Sequence, residues 1–220
     1  MRGRPAGILG HVLPDQPASS NGNASLLSNE PLPPILLASA SPRRAQLLAS
    51  IGLKFDVAAP DIDETPAAGE GPAELVGRLA LAKVAALAVA YPDALVIAAD
   101  TTVALGGEIL NKPADEGENR AFIERLAGRE HEVFTGHALA FRGRTETAVV
   151  RTVVELRPLS DEEIARYCAS REGLDKAGGY GIQGLGGALV SGVRGCYANV
   201  MGLSVVNVVM AARRLGISLV

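Results

Sequence analysis

The sequence has few of the residues that cross-link small domains or span membranes. Only two of its 220 residues are cysteine, Cys168 and Cys196. That excludes a disulfide framework and any four-thiolate zinc site. Tryptophan is absent, and the aromatics number four Phe and four Tyr, so the core must be built from Leu, Val, Ile and Ala. Long apolar runs are lacking. The richest apolar tail, residues 200–210, is broken by Gly202, Ser204 and Asn207, well short of the roughly 18 residues a helical span needs. Met1-Arg2-Gly3-Arg4 has the charge of a secretory n-region. However, the apolar stretch behind it is short and interrupted by His11, Pro14 and Asp15. A cytoplasmic protein with no membrane partner is expected. There is no excess of positive charge either: 21 Lys and Arg against 24 Asp and Glu leave −3. This argues against a nonspecific binder of nucleic-acid polymers.

What is present is globular. Apolar residues make up 48% and charged residues 20%, with a mean hydropathy of +0.21, so disorder along the whole chain is excluded. Residues 1–34 stand apart. They hold six of the thirteen prolines, around Ser19-Ser20-Asn21-Gly22-Asn23, and are read as a flexible N-terminal extension. From Ile35 onward helix and strand patterns alternate, which predicts an α/β fold. Strands are expected at 35–38, 55–58, 95–99 (ending at Asp100), 102–105, 108–110, 130–141 and 145–156. Helices are expected from Ser41-Pro42 to Ile51, and over 72–90, 115–127, 160–169 and 203–215. Ser160 with Glu163 three residues on is a capping box.

Familiar patterns fail on inspection. Gly179-x-Gly181-x-x-Gly184 matches a dinucleotide fingerprint as a string. No apolar strand precedes it, and no Asp or Glu follows Gly184 to the end of the sequence. His131-Glu132 lacks the second His of a zinc protease, since Thr135 stands there. No phosphate-binding G-x-x-x-x-G-K-[ST] loop occurs.

Four constellations carry chemistry. In Ser39-Ala40-Ser41-Pro42-Arg43-Arg44 a strand ends and a helix starts with two arginines in its first turn. Cations there oppose the helix dipole, unless an anion binds among the free N–H groups, hydroxyls and guanidinium forks. Asp61, Asp63 and Glu64 lie in an acidic loop, and Asp100 closes an apolar strand at the edge where α/β ligands bind. Such carboxylates suit Mg²⁺ or Mn²⁺, or the activation of water. Lys83 falls at about 80° on a helical wheel, inside an apolar arc formed by Leu75, Leu79, Val76 and Leu87 at about 0°, 40°, 100° and 120°. It must either snorkel or meet a buried anion. Lys112, after the hairpin, is a candidate for the same cleft. Finally, the glycine-rich run from Leu174 to Gly184 lets backbone approach a ligand closely, and its Gln183 has an amide that can read a base edge.

These segments resemble the Maf family of nucleotide pyrophosphatases, also called septum-formation inhibitors. The resemblance rests on Leu37-Ala38-Ser39-Ala40-Ser41-Pro42-Arg43-Arg44, Asp61-Ile62-Asp63-Glu64, Arg78-Leu79-Ala80-x-x-Lys83, Ala99-Asp100-Thr101, Asn111-Lys112-Pro113 and the run from Asp175 to Gly184. These occur in the family's order over about residues 35–215. It implies a two-lobed mixed sheet flanked by helices, related to inosine triphosphatases, over residues 35–220, often as a homodimer. The implied reaction is hydrolysis of a nucleoside triphosphate to monophosphate and pyrophosphate with a divalent cation, Mg²⁺ or Mn²⁺. Asp100 then matches the proton acceptor, and Glu64, with Asp100, the metal ligands. Ser39, Arg43, Arg44, Lys83 and Lys112 match the rest of the polar site, while Arg43, Thr101 and Gln183 match positions tied to substrate choice. The glycine-rich run is similar to the branch acting on dTTP and UTP. The alternatives are the 7-methyl-GTP branch and a nucleotide-binding division regulator without turnover. Ser204 stands where the family usually has proline.

Overall fold

The computed structural model describes residues 31–220. Most of the expected N-terminal extension, up to residue 30, lies outside the described residues. In chain order the elements are β1 (Ile35–Leu37), α1 (Pro42–Ala49), β2 (Asp56–Val57), α2 (Pro72–Ala88), β3 (Leu95–Leu105), β4 (Glu108–Leu110), α3 (Glu116–Leu126), β5 (Glu130–Phe141), β6 (Arg144–Leu156), α4 (Asp161–Ala169), β7 (Val190–Arg194), α5 (Tyr197–Val200) and α6 (Val205–Arg214). Two 3-10 turns, Ala177–Gly179 and Gly184–Leu189, interrupt the glycine-rich run. The sequence pattern missed β7 and both turns, where glycines break the periodicity, and α5, which at four residues is too short to show one.

The seven strands form one mixed sheet in the order β2-β1-β3-β5-β6-β7, with β4 also paired to β3. β1 runs parallel to β2 and β3, and the other pairings are antiparallel. One expectation is corrected here. The strand does not end at Asp100, and residues 102–105 are not a separate strand. β3 runs unbroken from Leu95 to Leu105, because β5 pairs with it from Val96 to Ala104. What ends is the pairing on its other edge. β1 covers Leu95–Ile97 and β4 covers Val103–Leu105. Asp100 and Thr101 lie in the gap between them.

Strand alternation sends neighbouring side chains to opposite faces. On one face Val96, Ala98, Ala138 and Ala140 pack against Ala80 and Val84 of α2. On the other, Ile97 and Leu139 pack against Leu48 of α1 and Val208, Ala211 and Ala212 of α6. Further along that second face, Val103, Val133, Val154 and Leu156 pack against Ile123 and Leu126 of α3 and Ile164 of α4. These last two cores lie side by side on one face of the sheet. Between them runs a polar seam: Thr135 Oγ1 donates to the Asn199 carbonyl at 3.0 Å, and Asn199 Nδ2 donates to the Val133 carbonyl at 3.1 Å.

Local capping follows the sequence in part. Ser160 Oγ accepts the Glu163 N–H at 3.3 Å, and Glu163 Oε2 accepts the Ser160 N–H at 2.9 Å, the expected capping box. Ser41 occupies the N-cap of α1, but its side chain makes no cap bond. Instead Ser39 Oγ accepts the Ser41 N–H at 3.2 Å.

Gly136 of β5, opposite Asp100 in the ladder, sets how closely α2 lies on the sheet. A Cβ there would sit 2.1 Å from the Val76 carbonyl oxygen and 2.8 Å from the Gly77 nitrogen. Gly136→Ala must therefore push α2 off the sheet. A loss of about 1–3 kcal/mol in unfolding free energy is expected, the usual cost of overpacking. Chemical denaturation measures it, and an unchanged midpoint would contradict the close packing.

Two buried histidines on β5 generate a second prediction. His131 Nε2 pairs with the Tyr180 hydroxyl at 2.6 Å, and His137 Nε2 accepts the Ser204 N–H at 2.8 Å, ahead of α6. Burial lowers both from 6.5 to about 4, and for His137 the Arg44 charge adds to the effect. A depressed folded-state pKa means that the unfolded chain takes up protons the folded chain refuses. Stability is therefore full above pH 6.5 and falls as pH drops toward 4. Roughly 2 kcal/mol per histidine should be lost between pH 7 and 5. Urea unfolding at the two pH values tests this, and equal free energies would rule it out.

Candidate active site

The gap beside β3 opens into a cleft of about 610 Å³. Its walls come from the β1–α1 junction, the acidic loop before α2, the segment after β4, the glycine-rich run and residues 200–202. Of the candidate residues read from the sequence, Ser39, Arg43, Arg44, Glu64, Lys83, Asp100, Thr101, Lys112 and Gln183 line it. They come from positions as far apart as 39 and 183. Asp61 and Asp63 do not line it; Asp63 Oδ1 instead accepts the Thr65 N–H at 2.9 Å, within its own loop.

Lys83 is the centre of the charge arrangement. Its side chain is 9% exposed, and Nζ lies 2.6 Å from Asp100 Oδ1 and 2.6 Å from Glu64 Oε1. The choice between snorkelling and a buried anion is thereby decided: two carboxylates meet it. α2 supplies the lysine, β3 supplies Asp100 on the same sheet face, and the acidic loop brings Glu64 over the top. Burial pushes the Glu64 carboxyl upward, but the Lys83 hydrogen bond and the charges of Lys83, Lys112 and Arg44 outweigh it and hold it below the usual value.

Arg44 is built into the wall. Nη1 donates to Ser39 Oγ at 2.9 Å, Nε to the Gly202 carbonyl at 2.9 Å and Nη2 to Thr101 Oγ1 at 3.2 Å. Burial lowers its pKa, while the charges of Asp100 and Glu64 work against that shift. Three of its five N–H donors are committed, so two remain for an anion. The Thr101 hydroxyl is also engaged with Thr135 Oγ1 at 3.0 Å. Arg43 reaches the glycine-rich run across the cleft, with Nη1 3.2 Å from Asp175 Oδ2. Lys112 and Gln183 are exposed at the cleft and make no hydrogen bond to a described residue.

Two site residues were missed as candidates. Asp175 bridges Arg43 and Lys176, whose Nζ lies 2.5 Å from Asp175 Oδ1. Both lie in the glycine-rich run, where adjacent opposite charges read as an ordinary solvated pair. The run bends back through Gly178 and Gly179, at φ 72° and 73°, a conformation glycine adopts without strain. Arg43, Arg44, Lys83, Lys112 and Lys176 thus face Glu64, Asp100 and Asp175 across one cleft. Cations in excess at a helix start suit a polyanionic ligand.

The donor set fits a hard divalent cation. Glu64 and Asp100 converge on one point, marked by the Lys83 ammonium, and offer carboxylate oxygens. Among the described residues no cluster of three or more His, Cys, Asp or Glu side chains gathers. An ion here would take two carboxylates from the protein and the rest of its shell from ligand oxygens and water, as Mg²⁺ commonly does at phosphate sites.

The sequence matches the family model described as "Maf-like protein" over residues 34–215. A protein of Myxococcus xanthus named dTTP/UTP pyrophosphatase is 54% identical over 185 residues, covering 84% of this chain and 94% of its own length. A Deinococcus radiodurans protein with the same name is 45% identical over 193 residues, covering 86% and 96%. The solved structure of the Staphylococcus aureus Ham1 protein is 20% identical, covers 71% of this chain and 79% of its own, and has a TM-score of 0.43. Among the described residues no helix is long and apolar enough to cross a membrane.

Proposed function

The chain belongs to the Maf family, and from that premise we propose that it is a nucleoside triphosphate pyrophosphatase that hydrolyses dTTP and UTP to the monophosphate and pyrophosphate. The observation that carries this reading is the Lys83 ammonium shared by Asp100 and Glu64 at the base of a cation-lined cleft. The relatives' name supplies the substrate class. A net charge of −3 offers no general attraction to a polymeric polyanion, so free nucleotides are the proposed partners, in the cytoplasm.

Each residue has a task that its surroundings support. Arg43, Lys112 and the free donors of Arg44 take the triphosphate oxygens and neutralise charge that grows as the anhydride breaks. Lys83 holds Asp100 by Oδ1, which leaves Oδ2 to accept a proton from the attacking water. That water adds to the α-phosphorus, the bond from the α-phosphorus to the bridging oxygen breaks, and pyrophosphate leaves. Glu64 and Asp100 would hold Mg²⁺ or Mn²⁺, which supplies Lewis-acid polarisation of phosphate oxygens. Ser39 and Thr101 fix Arg44 in the wall.

The base is assigned to Gln183. Uracil and thymine both present an N3–H donor beside an O4 acceptor, and one amide can satisfy both. Cytosine inverts the pattern, so a fixed Gln would face donor with donor. A mismatch of this kind discriminates by about 10²–10⁴ in kcat/KM.

The test is turnover of dTTP, UTP, CTP, GTP and 7-methyl-GTP by three forms of the protein. Wild type should favour dTTP and UTP. Gln183→Ala should narrow the UTP-to-CTP ratio. Asp100→Asn keeps the shape but removes the proton acceptor, and should lower kcat by about a hundredfold or more. Preference for 7-methyl-GTP would overturn the substrate assignment, and wild-type kcat in Asp100→Asn would overturn the catalytic one.

A further inference from the structure

Glu64 sits on a segment with no regular structure. Residues 58–71 leave β2 and reach α2 without a helix or a strand of their own. A chain of this kind is costly to order, yet its one cleft-lining carboxylate must meet Lys83. The fixing contacts come from Arg78. Its Nε donates to Glu70 Oε1 at 2.6 Å and its Nη2 to Glu70 Oε2 at 2.8 Å. The same Nη2 donates to the Thr65 carbonyl at 3.1 Å, so the residue immediately after Glu64 is tied to α2. Glu70 Oε2 also accepts the Ala67 N–H at 2.9 Å. The loop is thus pinned at Thr65, Ala67 and Glu70 by one guanidinium–carboxylate fork.

The fork is sheltered on its acidic side. The Glu70 side chain is 8% exposed, and hydrogen bonds from Arg78 and the Ala67 N–H hold its carboxyl down to about 2. It therefore stays ionised through the neutral range. A bidentate Arg–carboxylate pair fixes direction as well as distance, which lysine cannot do. Five residues along the same helix, Lys83 takes the Glu64 side chain itself. α2 holds the loop in two places: the backbone just after Glu64, and the Glu64 carboxylate.

We propose that Arg78, through Glu70 and the Thr65 carbonyl, is the positioning residue for Glu64. Arg78 does not line the cleft, so its action passes through the loop. The inference rests on the pyrophosphatase reading, which places Glu64 in the reaction. Without the fork, Glu64 samples other positions, and the productive arrangement of carboxylates and ammonium is populated less often. A group displaced in this way loses rate through orientation rather than chemistry.

The test couples two sites. Arg78→Ala should lower kcat on dTTP by about 30-fold in the wild-type background, and by less than about threefold once Glu64→Gln has removed the group being positioned. Arg78→Lys keeps the charge, loses the fork and should recover only part of the rate. Hydrogen exchange read by mass spectrometry should quicken in peptides covering residues 61–71 of Arg78→Ala, while peptides from β3 and β5 keep wild-type protection. Glu70→Gln, which leaves Arg78 in place, should reproduce the exchange change and guards against a folding defect in Arg78→Ala. Equal losses of kcat with and without Glu64 would overturn the proposal, as would unchanged exchange in residues 61–71. Absence of turnover in wild type with every nucleotide would instead reject the functional reading, and the exchange experiment separates the two failures.

Discussion

Lys83 lies on the packed face of α2, 7% exposed, and its ammonium is met by Asp100 and Glu64 at 2.6 Å each. A lysine in that position is costly to desolvate, and a hydrophobic residue of similar size would often serve stability as well or better. The arrangement makes sense as one retained for chemistry. It also dictates the neighbouring structure. α2 must lie close enough for a lysine side chain to reach β3, and Gly136 removes the one Cβ that would keep it away. Asp100 stands directly opposite that glycine, so the point of closest approach and the site coincide.

The sheet contributes the opening. β3 is held along one edge by β5 while its other edge passes from β1 to β4. Between those partners a strand is firmly placed yet uncovered, which suits a group that must be fixed and reachable. The two cores on the opposite sheet face meet at Thr101, Thr135 and Asn199, and their hydrogen bonds continue into Arg44 and the Gly202 carbonyl. The cationic wall is therefore anchored to the interior. The glycine-rich run is tied to the interior by the Gly178 N–H on the Asn111 carbonyl at 3.2 Å, by Asn119 Nδ2 on the Gly179 carbonyl at 2.6 Å and by the Tyr180 hydroxyl beside His131, and at its start Asp175 makes a partly exposed pair with Arg43. Exposed pairs contribute little to stability, and this one is correspondingly easy for an anionic ligand to replace.

Much of this was legible in residue order. Lys83 among leucines and valines had either to snorkel or to meet a buried anion, and the paired arginines behind Ser41-Pro42 opposed the helix dipole without an anion. The alternation of helices and strands predicted an α/β fold, and the family resemblance implied the mixed sheet. Less legible were features set by tertiary pairing. Asp100 has low strand propensity and reads as a strand end, but nine consecutive register pairs with β5 carry β3 through it. β7 and the 3-10 turns are hidden in a glycine-rich stretch whose shape comes from backbone contacts. Asp175 and Arg78 stand in the motifs that carry the family resemblance, but neither was given a role in the site, because a charged residue on a loop or helix surface is the ordinary case. Only the geometry distinguishes Arg78, whose fork closes on the loop that carries Glu64.

The central claim is that a water positioned at Asp100 attacks the α-phosphorus and that pyrophosphate departs. Hydrolysis of dTTP in ¹⁸O-labelled water, with the products separated and weighed by mass spectrometry, tests it most directly. The account predicts one ¹⁸O atom in thymidine monophosphate and none in the released pyrophosphate. Label in the pyrophosphate, or release of orthophosphate in its place, would contradict it.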